Sequence, residues 1–193
     1  MYDVYLIGVG GQGLLTIGEV LAEAATRLGM PVHLYPYKGM AQRGGLVRAQ
    51  LRLGREAAGP NIPPRGADLV LAMEVSEALR AVRFLKPGGE FLLYGEQWLP
   101  TAVMLGKAPY PSLEAVLDAV RTAGGHPLYL PPDGCPVDEG GPLPANIYVL
   151  GAAVGRTRLG GYIPPEAVEE VLRGWRAAER NLAAFRAGLA AKP

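Results

Sequence analysis

The chain has 193 residues and a formal net charge of +1, and 49% of the residues are apolar against 19% charged, which suits one domain with a sizeable core and excludes intrinsic disorder. The small net charge gives no strong field towards nucleic acid or a membrane, and no run reaches the ~18 apolar residues of a membrane span, so we expect a soluble, cytoplasmic protein with neither partner. A single cysteine, Cys135, excludes an internal disulfide, a four-cysteine iron–sulfur cluster and a cysteine-rich zinc site built from this chain alone.

Strand and helix signals alternate from the N-terminus. Residues 3–7 are typical of a short buried strand, and apolar positions at helical spacing predict a helix from Gly11 to Leu28. Strands are predicted at 31–36 and 45–53, and the second of these has one uniformly apolar face. The remaining predicted elements are, in chain order, a strand at 68–73, a helix from about Ser76 to Leu85, a turn at KPGG, a strand at 90–94, a capped helix within 111–125, a strand at 126–130, a loop at 131–144, and helices at 145–158 and 165–189.

This alternation predicts a Rossmann-like, doubly wound α/β fold, with a mostly parallel sheet and helices on both faces. Residues 1–193 are expected to form a single domain, and the C-terminal helices, about 145–190, are expected to pack on the sheet. Residues 45–53 are expected to add an antiparallel pairing. Gly151 and Gly155, four residues apart on one predicted helix, favour close backbone packing against a neighbour.

A glycine-rich turn follows the first strand, in the stretch VYLIGVGGQGLL at residues 4–15. In a strand–turn–helix unit, Gly8 permits the tight turn, Gly10 lets a ligand approach the backbone, and Gly13 lets the helix pack closely on the strand. The free N–H groups and the helix dipole then favour an anion. The structural alternative is a tight turn that binds nothing.

The dinucleotide interpretation of this turn meets a difficulty at the second strand. Binding of NAD requires an Asp or Glu at the end of that strand for the ribose hydroxyls, and no carboxylate occurs between Glu23 and Glu56. Lys38 or Arg43 could receive a 2′-phosphate, so NADP stays open. A phosphate-binding P-loop is excluded because no Gly-Lys-Ser/Thr follows. We therefore expect backbone amides at a carboxylate-free crevice to hold an anion.

A second polar segment, YPYKGMAQRGGLVRAQLRLG at residues 35–54, follows the second strand. Its Lys38 and Arg43 lie near strand ends, where open α/β sheets bind ligands. Gly44 and Gly45 permit a sharp turn, and the planar guanidinium of Arg43 suits phosphate or carboxylate. The alternative is a polar loop with a solvated arginine.

These motifs together resemble a known family. GVGGQG at the first turn, KGMAQRGG, and the strand VRAQLRLG are similar to the small γ-type subunit of 2-oxoacid:ferredoxin oxidoreductases, and the unbroken GMAQRGG most resembles the β subunit of the indolepyruvate enzymes. ADLVLAMEVSEALRAVRFLKPGG, ANIYVLGAA and ERNLAAFRAG agree in the same order, so the resemblance spans nearly the whole chain.

The resemblance implies a subunit of an enzyme that oxidatively decarboxylates a 2-oxoacid, such as indolepyruvate, to an acyl-coenzyme A. Thiamine diphosphate, magnesium and 4Fe-4S clusters would reside on a large partner subunit, which passes electrons to ferredoxin. This chain would be inactive alone and bind no cofactor tightly, with coenzyme A as a candidate ligand at the glycine turn. A homodimer of the isolated chain is compatible with the sequence.

The candidate ligand-binding residues fall into three groups. The first is Gly8, Gly10, Gly11, Gln12 and Gly13. The second is Lys38, Met40, Gln42, Arg43 and Gly44, which would contact either coenzyme A or the thiamine-bearing partner. The third is Asn146, for which helix N-capping is the alternative.

Other polar residues are given structural interpretations. Glu74 and Glu77 resemble first-turn helix acids, and Cys135 has no cationic neighbour in sequence and is interpreted as an inert thiol. No nucleophile–base pair and no metal-ligand spacing is visible, so no catalytic residue is assigned. Two rival functions remain: a free-standing NADP-dependent reductase, and a non-catalytic module that senses a nucleotide or acyl-coenzyme A.

Overall fold

The structure is a computed structural model that describes residues 1–38 and 45–191. Its strands are β1 (Tyr2–Val9), β2 (Val32–Lys38), β3 (Leu46–Leu53), β4 (Ala67–Glu74), β5 (Leu85–Glu96), β6 (His126–Leu130), β7 (Val137–Asp138) and β8 (Gly141–Pro142). Its α-helices are α1 (Leu14–Arg27), α2 (Val75–Ala81), α3 (Thr101–Met104), α4 (Leu113–Thr122), α5 (Ala145–Arg156), α6 (Pro165–Arg173) and α7 (Ala178–Leu189). Short 3₁₀ helices lie at Val82–Phe84, Pro132–Gly134 and Arg158–Gly161. No helix within the two described stretches has the length and apolar character needed to cross a membrane.

Six strands form one mixed sheet in the order β2-β3-β1-β4-β5-β6. β1, β4, β5 and β6 run parallel, whereas β3 is antiparallel to both of its neighbours. The doubly wound, mostly parallel sheet and the antiparallel pairing of residues 45–53 are therefore confirmed. The two edge strands each contain a proline, Pro36 in β2 and Pro127 in β6.

Helices cover both faces of the sheet because the central strands are apolar on both sides. In β1, Val4 and Leu6 belong to the core under α1, α5, α6 and α7, whereas Tyr5 and Ile7 belong to the core under α2 and α4. This alternation of side chains is the period of two that a strand imposes. A strand buried on both faces reads as a continuous apolar run, as β1 does.

The C-terminal helices pack through glycines. A Cβ added at Gly151 of α5 would overlap the Phe185 carbonyl oxygen, and one added at Gly188 of α7 would overlap the Tyr148 carbonyl oxygen. A Cβ added at Gly155 would lie 3.0 Å from the Leu189 carbonyl oxygen. The predicted close packing at Gly151 and Gly155 is therefore confirmed.

The single helix predicted at 165–189 is wrong. It is divided into α6 and α7 by a break in which Ala177 takes a left-handed conformation with φ of 58°. The break has a packing cause, because α6 packs on α1 whereas α7 packs mainly on α5. A single straight helix could not pack on both α1 and α5 in this way.

Several other boundaries differ from the prediction, among them the end of the helix predicted to reach Leu85, which stops at Ala81 and continues as a 3₁₀ turn. The KPGG segment lies inside β5 rather than in a turn before it, at a bulge where the pairing shifts from Ala67–Leu85 to Leu69–Glu90. β5 also continues to Glu96, beyond the predicted end at Tyr94. The predicted loop at 131–144 contains a 3₁₀ turn and the two-residue ladder of β7 and β8, and α3 was not predicted.

The polar face of β3 is covered along only part of its length. Arg52 forms a buried bidentate ion pair with Asp3, at 3.1 and 2.9 Å, and donates to the carbonyl oxygens of Gly59 and Asn61. The chain after β3 thus covers this end of the strand. Arg48, nearer the start of β3, lies outside that cover and lines an open cavity.

Candidate functional site

The carboxyl ends of β1, β4 and β5 border a crevice of about 310 Å³, called here the strand-end crevice. Its lining residues are Gly11, Gln12, Gly13, Met73, Glu96, Trp98, Ala145 and Asn146. β1 and β4 are neighbours, and α1 leaves β1 towards one face while α2 leaves β4 towards the other. Ligands of open α/β sheets bind at such a switch point.

The glycine turn places backbone N–H groups at the strand-end crevice. Gly11 has φ of +107° and Gly13 has φ of +69°, conformations that favour glycine. None of the described residues accepts a hydrogen bond from the N–H of Gly11 or Gly13. Gly13 is also the N-cap of α1, whose first turn has no acidic residue, so the positive end of the helix dipole faces this region. The turn can hold an anion.

Gly10 and Gly8 have different roles from those two glycines. The Gly10 N–H donates to the Gly45 carbonyl oxygen at 2.9 Å and joins the turn to the start of β3. Gly8 lies within β1, where an added Cβ would lie 2.6 Å from Oε1 of Gln12. Gly8 therefore makes room for the Gln12 amide.

The Gln12 side chain ties three strand ends together. Its Oε1 accepts from the Val9 N–H at 2.9 Å, and its Nε2 donates to the Met73 carbonyl oxygen at 3.2 Å and to Glu96 Oε2 at 2.7 Å. Both N–H donors of the amide are thus occupied within the protein. The arrangement fixes the relative positions of β1, β4 and β5 at the crevice floor.

The expectation of a carboxylate-free crevice is wrong. The half-buried Glu96 lines it beside the glycine turn, at the end of β5 rather than at the end of the second strand where a dinucleotide carboxylate lies. The general tendency of parallel strands to place polar groups at their carboxyl ends could have pointed to Glu96, but the predicted strand stopped at Tyr94. The site therefore combines backbone donors with one carboxylate acceptor.

Asn146 lies in the first turn of α5 and reaches back to the glycine turn. Its Nδ2 donates to the Gly13 carbonyl oxygen at 3.3 Å, and an added Cβ at Gly13 would lie 2.5 Å from the same nitrogen. The N-cap alternative is wrong, because the N-cap of α5 is Pro144. The N-terminal turns of α1 and α5 consequently meet at the strand-end crevice.

Glu74 is a buried residue whose role the sequence did not reveal. It is the N-cap of α2 and accepts from the Ser76 hydroxyl at 2.7 Å and the Glu77 N–H at 2.8 Å. It also accepts from the Trp98 N–H at 3.2 Å and from the Tyr110 hydroxyl. Glu77 lies in the first turn of α2, as predicted, and burial raises its pKa. Glu74 instead anchors the segment that carries Trp98 at the crevice.

Trp98 forms the outer wall of the strand-end crevice. Its side chain is 46% exposed, and Leu99, Met104 and Leu105 beyond it are exposed as well. The segment after β5 thus presents apolar surface next to the polar crevice.

The second predicted group cannot be compared with the site in full. Lys38 is the last residue of β2 and pairs with Val47 of β3, while Met40, Gln42, Arg43 and Gly44 lie outside the described residues. Their assignment stays a prediction.

No metal centre or reactive thiol is found in the part of the chain that the structure describes. Within residues 1–38 and 45–191, no group of three His, Cys, Asp or Glu residues could hold a metal ion. Burial raises the pKa of the Cys135 thiol, and its Sγ lies 3.6 Å from the Leu143 carbonyl oxygen. This agrees with an inert thiol.

Comparison with known proteins places the chain among redox enzymes. Residues 3–191 match the family profile described as pyruvate ferredoxin/flavodoxin oxidoreductase. The indolepyruvate oxidoreductase subunit IorB of Archaeoglobus fulgidus is 36% identical over 173 residues, which are 89% of this chain and 84% of that protein.

Two solved structures share the fold. The pyruvate oxidoreductase subunit PORC of Thermotoga maritima is similar with a TM-score of 0.70 and 24% identity, over 98% of this chain and 95% of that one. The 2-oxoglutarate:ferredoxin oxidoreductase of Magnetococcus marinus, solved with 2-oxoglutarate, coenzyme A and succinyl-CoA bound, is similar with a TM-score of 0.63 and 19% identity, over 98% of this chain but 30% of that one. The resemblance inferred from the ordered motifs is confirmed. The chain belongs to the pyruvate ferredoxin/flavodoxin oxidoreductase family and is a subunit of an oxidoreductase.

Proposed function

We propose that the chain is the small subunit of a ferredoxin-dependent oxidoreductase for indolepyruvate or a related aryl 2-oxoacid. The complex would convert the 2-oxoacid, coenzyme A and two oxidised ferredoxins into acyl-coenzyme A, carbon dioxide, a proton and two reduced ferredoxins. The 36% identity to an indolepyruvate oxidoreductase subunit over 89% of the chain supports the substrate class.

The donor set of this chain does not suit the redox and thiamine chemistry. Its one cysteine cannot ligate a 4Fe-4S cluster, and no metal-ligand group that could hold magnesium occurs among the described side chains. We therefore assign thiamine diphosphate, magnesium and the clusters to a large partner subunit. The small chain alone would be inactive.

The chemical groups at the strand-end crevice suit part of a coenzyme A molecule, and this complementarity supports the proposal. The amides of Gly11 and Gly13, which have no acceptor among the described residues and lie at the positive end of α1, suit a phosphate oxygen. The Glu96 carboxylate can accept from a pantetheine amide N–H, and Trp98 can cover the apolar portion. A crevice of about 310 Å³ is at the lower end of ligand sites, so it would hold one part of this large cofactor.

Gln12 has a positioning role in this proposal. Its amide donors are already bound to Met73 and Glu96, so it sets the geometry of the crevice rather than contacting the ligand. Lys38, Met40, Gln42 and Arg43 would contact either coenzyme A or the thiamine-bearing partner.

The proposal is tested by co-expressing the chain with its large subunit and measuring viologen reduction by aryl pyruvates with coenzyme A. We expect activity only when both chains are present, and equal activity without the small chain would contradict the subunit assignment. Within the complex, Gly13→Ala should raise the KM for coenzyme A, because the Cβ meets Asn146 and strains the turn.

Gly29→Ala is the matched control for that variant. Gly29 has the same φ of +69° as Gly13, but an added Cβ there meets nothing within 4 Å. Both variants carry the strain of about 1–2 kcal/mol for a left-handed alanine, so only a crevice effect separates them. An equal change in KM for the two would contradict coenzyme A binding at the glycine turn.

The two rival functions give different outcomes in binding experiments. A 2′-phosphate on a ribose held by Glu96 would be repelled by that carboxylate, so equilibrium dialysis should show no NADPH binding at millimolar concentration. A sensing module would form a stable complex without a large redox subunit. Recovery of a thiamine-bearing partner in a pull-down would exclude it.

A further inference from the structure

A second cavity lies on the opposite side of β1 from the helices α5–α7, between the uncovered start of β3 and α2. It has a volume of about 440 Å³ and is separate from the strand-end crevice, with which it shares no lining residue. Three arginines line it, Arg48 from β3, Arg80 from α2 and Arg83 from the turn that follows α2. We call it the arginine cavity.

Arg48 lies over a tyrosine ring, and one of its donors has no acceptor among the described residues. Its guanidinium lies 4.5 Å from the centre of the Tyr37 ring, an arrangement that fixes the plane of the group. Its Nε is buried, and none of the described residues accepts a hydrogen bond from it. A ligand in the cavity would therefore meet the terminal amino groups of Arg48, and the buried Nε–H beside them would report on that contact.

Aromatic and aliphatic side chains form the floor of the arginine cavity. Tyr5 and Phe84 stack with their ring centres 4.2 Å apart, and the Arg83 guanidinium lies 4.7 Å from the Phe84 ring centre. The ring faces are thus covered, and the apolar surface that is open to the cavity comes mainly from Leu46 and Leu79. The cavity therefore has an apolar floor and cationic walls.

The positive charge of the cavity has little compensation from within the chain. No Asp or Glu is among its lining residues, and among the described residues the one ion pair of its arginines joins Nε of Arg80 to Oε2 of Glu77, 3.8 Å apart. Residues 39–44, which are not described, contain no acidic residue. Three guanidinium groups that share one cavity repel one another unless an anion joins them.

We propose that the arginine cavity binds a phosphate or pyrophosphate group that is attached to an apolar moiety. The terminal amino groups of Arg48 and the edges of Arg80 and Arg83 would donate to the phosphate oxygens, since the planar fork of arginine matches that geometry. The apolar moiety would lie against Leu46 and Leu79. This site is independent of the function proposed for the strand-end crevice.

The direct test is the Nε–H resonance of Arg48 in ¹⁵N-labelled full-length protein, assigned by its absence in Arg48→Lys. We expect it to shift during titration with inorganic pyrophosphate and to do so equally in Gly13→Ala, whose changed residue lies at the strand-end crevice. Adenosine diphosphate is the second probe. We expect it to bind more tightly than pyrophosphate, because its nucleoside can pack on the apolar floor, and equal affinity would contradict a contact with an attached moiety.

Variants that remove a charge elsewhere in the cavity test the proposal without changing Arg48, whose substitution could affect folding. Arg80→Gln and Arg83→Gln change exposed side chains, and each should weaken pyrophosphate binding about tenfold, the effect of one lost charge-assisted hydrogen bond. Arg176→Gln removes the same charge between α6 and α7, on the other face of the sheet, and should change the affinity less than about twofold. No shift of Arg48 at millimolar pyrophosphate, or an equal loss in Arg176→Gln, would overturn the proposal.

Discussion

The Gln12→Glu substitution tests the link between the three strand ends at the crevice floor. Glutamate keeps the shape of the side chain and still accepts from the Val9 N–H, but it lacks both N–H donors. It therefore places a carboxylate oxygen against Glu96 Oε2, 2.7 Å away in the wild type, and against the Met73 carbonyl oxygen. The variant converts one strong hydrogen bond into a repulsive contact.

The expected loss of stability lies between two limiting cases: both carboxylates stay charged, or one takes up a proton. Two charges at this separation repel by about 6 kcal/mol at an effective dielectric constant of about 20. Uptake of a proton by one carboxyl avoids the repulsion at a cost of about 4 kcal/mol near pH 7.5 and about 1 kcal/mol near pH 5. Glu96 is half-buried, so solvent reduces the repulsion further, while the lost bond to Met73 adds about 1 kcal/mol at either pH. We expect the free energy of unfolding to fall by about 2–4 kcal/mol near pH 7.5 and by about 1–2 kcal/mol near pH 5.

Urea denaturation at the two pH values, followed by circular dichroism, measures this difference. The double variant Gln12→Glu/Glu96→Gln exchanges donor and acceptor, because the amide at position 96 now donates to the carboxylate at position 12. The double variant should regain the part of the unfolding free energy whose loss depends on pH. It should not regain the part that comes from the lost hydrogen bond to Met73. A loss that is equal at both pH values, or one that the exchange does not reduce, would refute the contact.

Three further substitutions test packing and ionisation elsewhere. Gly188→Ala should lower the free energy of unfolding by about 2–4 kcal/mol in urea titrations, because its Cβ overlaps the Tyr148 carbonyl oxygen. Gly161→Ala is the control: its Cβ meets open space, and the free energy of unfolding should change by less than about 0.5 kcal/mol. Equal effects would contradict the close helix contact. Burial raises the pKa of Glu77 in the folded state, so wild-type stability falls as the pH rises through that pKa, and Glu77→Gln should melt higher than the wild type near pH 8 but equally near pH 4. The guanidinium of Arg186 lowers the pKa of Glu169, so Glu169→Gln should have the opposite profile, with a lower melting temperature than the wild type at neutral pH and an equal one in acid. For either residue, a difference in melting temperature that does not change with pH would contradict the assignment.

The fold was predictable where local signals decide the structure. β6 was predicted at the residues it occupies, because a short apolar run lies between a glycine turn and a proline-rich stretch. α4 lies within the predicted range 111–125, its cap is Ser112, which accepts from the Ala115 N–H, and it is followed by Gly124 in a left-handed conformation. Each of these signals lies within a few residues of the boundary it sets.

The rest depends on partners that are distant in sequence. The break before α7 arises because two halves of one apolar stripe pack on different helices, and a stripe alone does not reveal its partners. The glycine turn was visible because φ above zero restricts the residue type locally. Glu96, in contrast, meets Gln12 across 84 residues, and Trp98 and Tyr110 reach the Glu74 carboxylate only once β4 and β5 are paired. Those contacts follow from strand order, which the periodicity of a single strand does not contain.

The prolines of the two outermost strands restrict how this subunit can assemble. Pro36 and Pro127 have no amide hydrogen, so a foreign strand laid along either side of the sheet would find the row of donors interrupted. Growth of the sheet into a neighbouring polypeptide is thereby discouraged at both sides. A chain that joins this one is therefore expected to attach through helices and connecting segments, and such attachment leaves the carboxyl ends of the strands free of strand pairing.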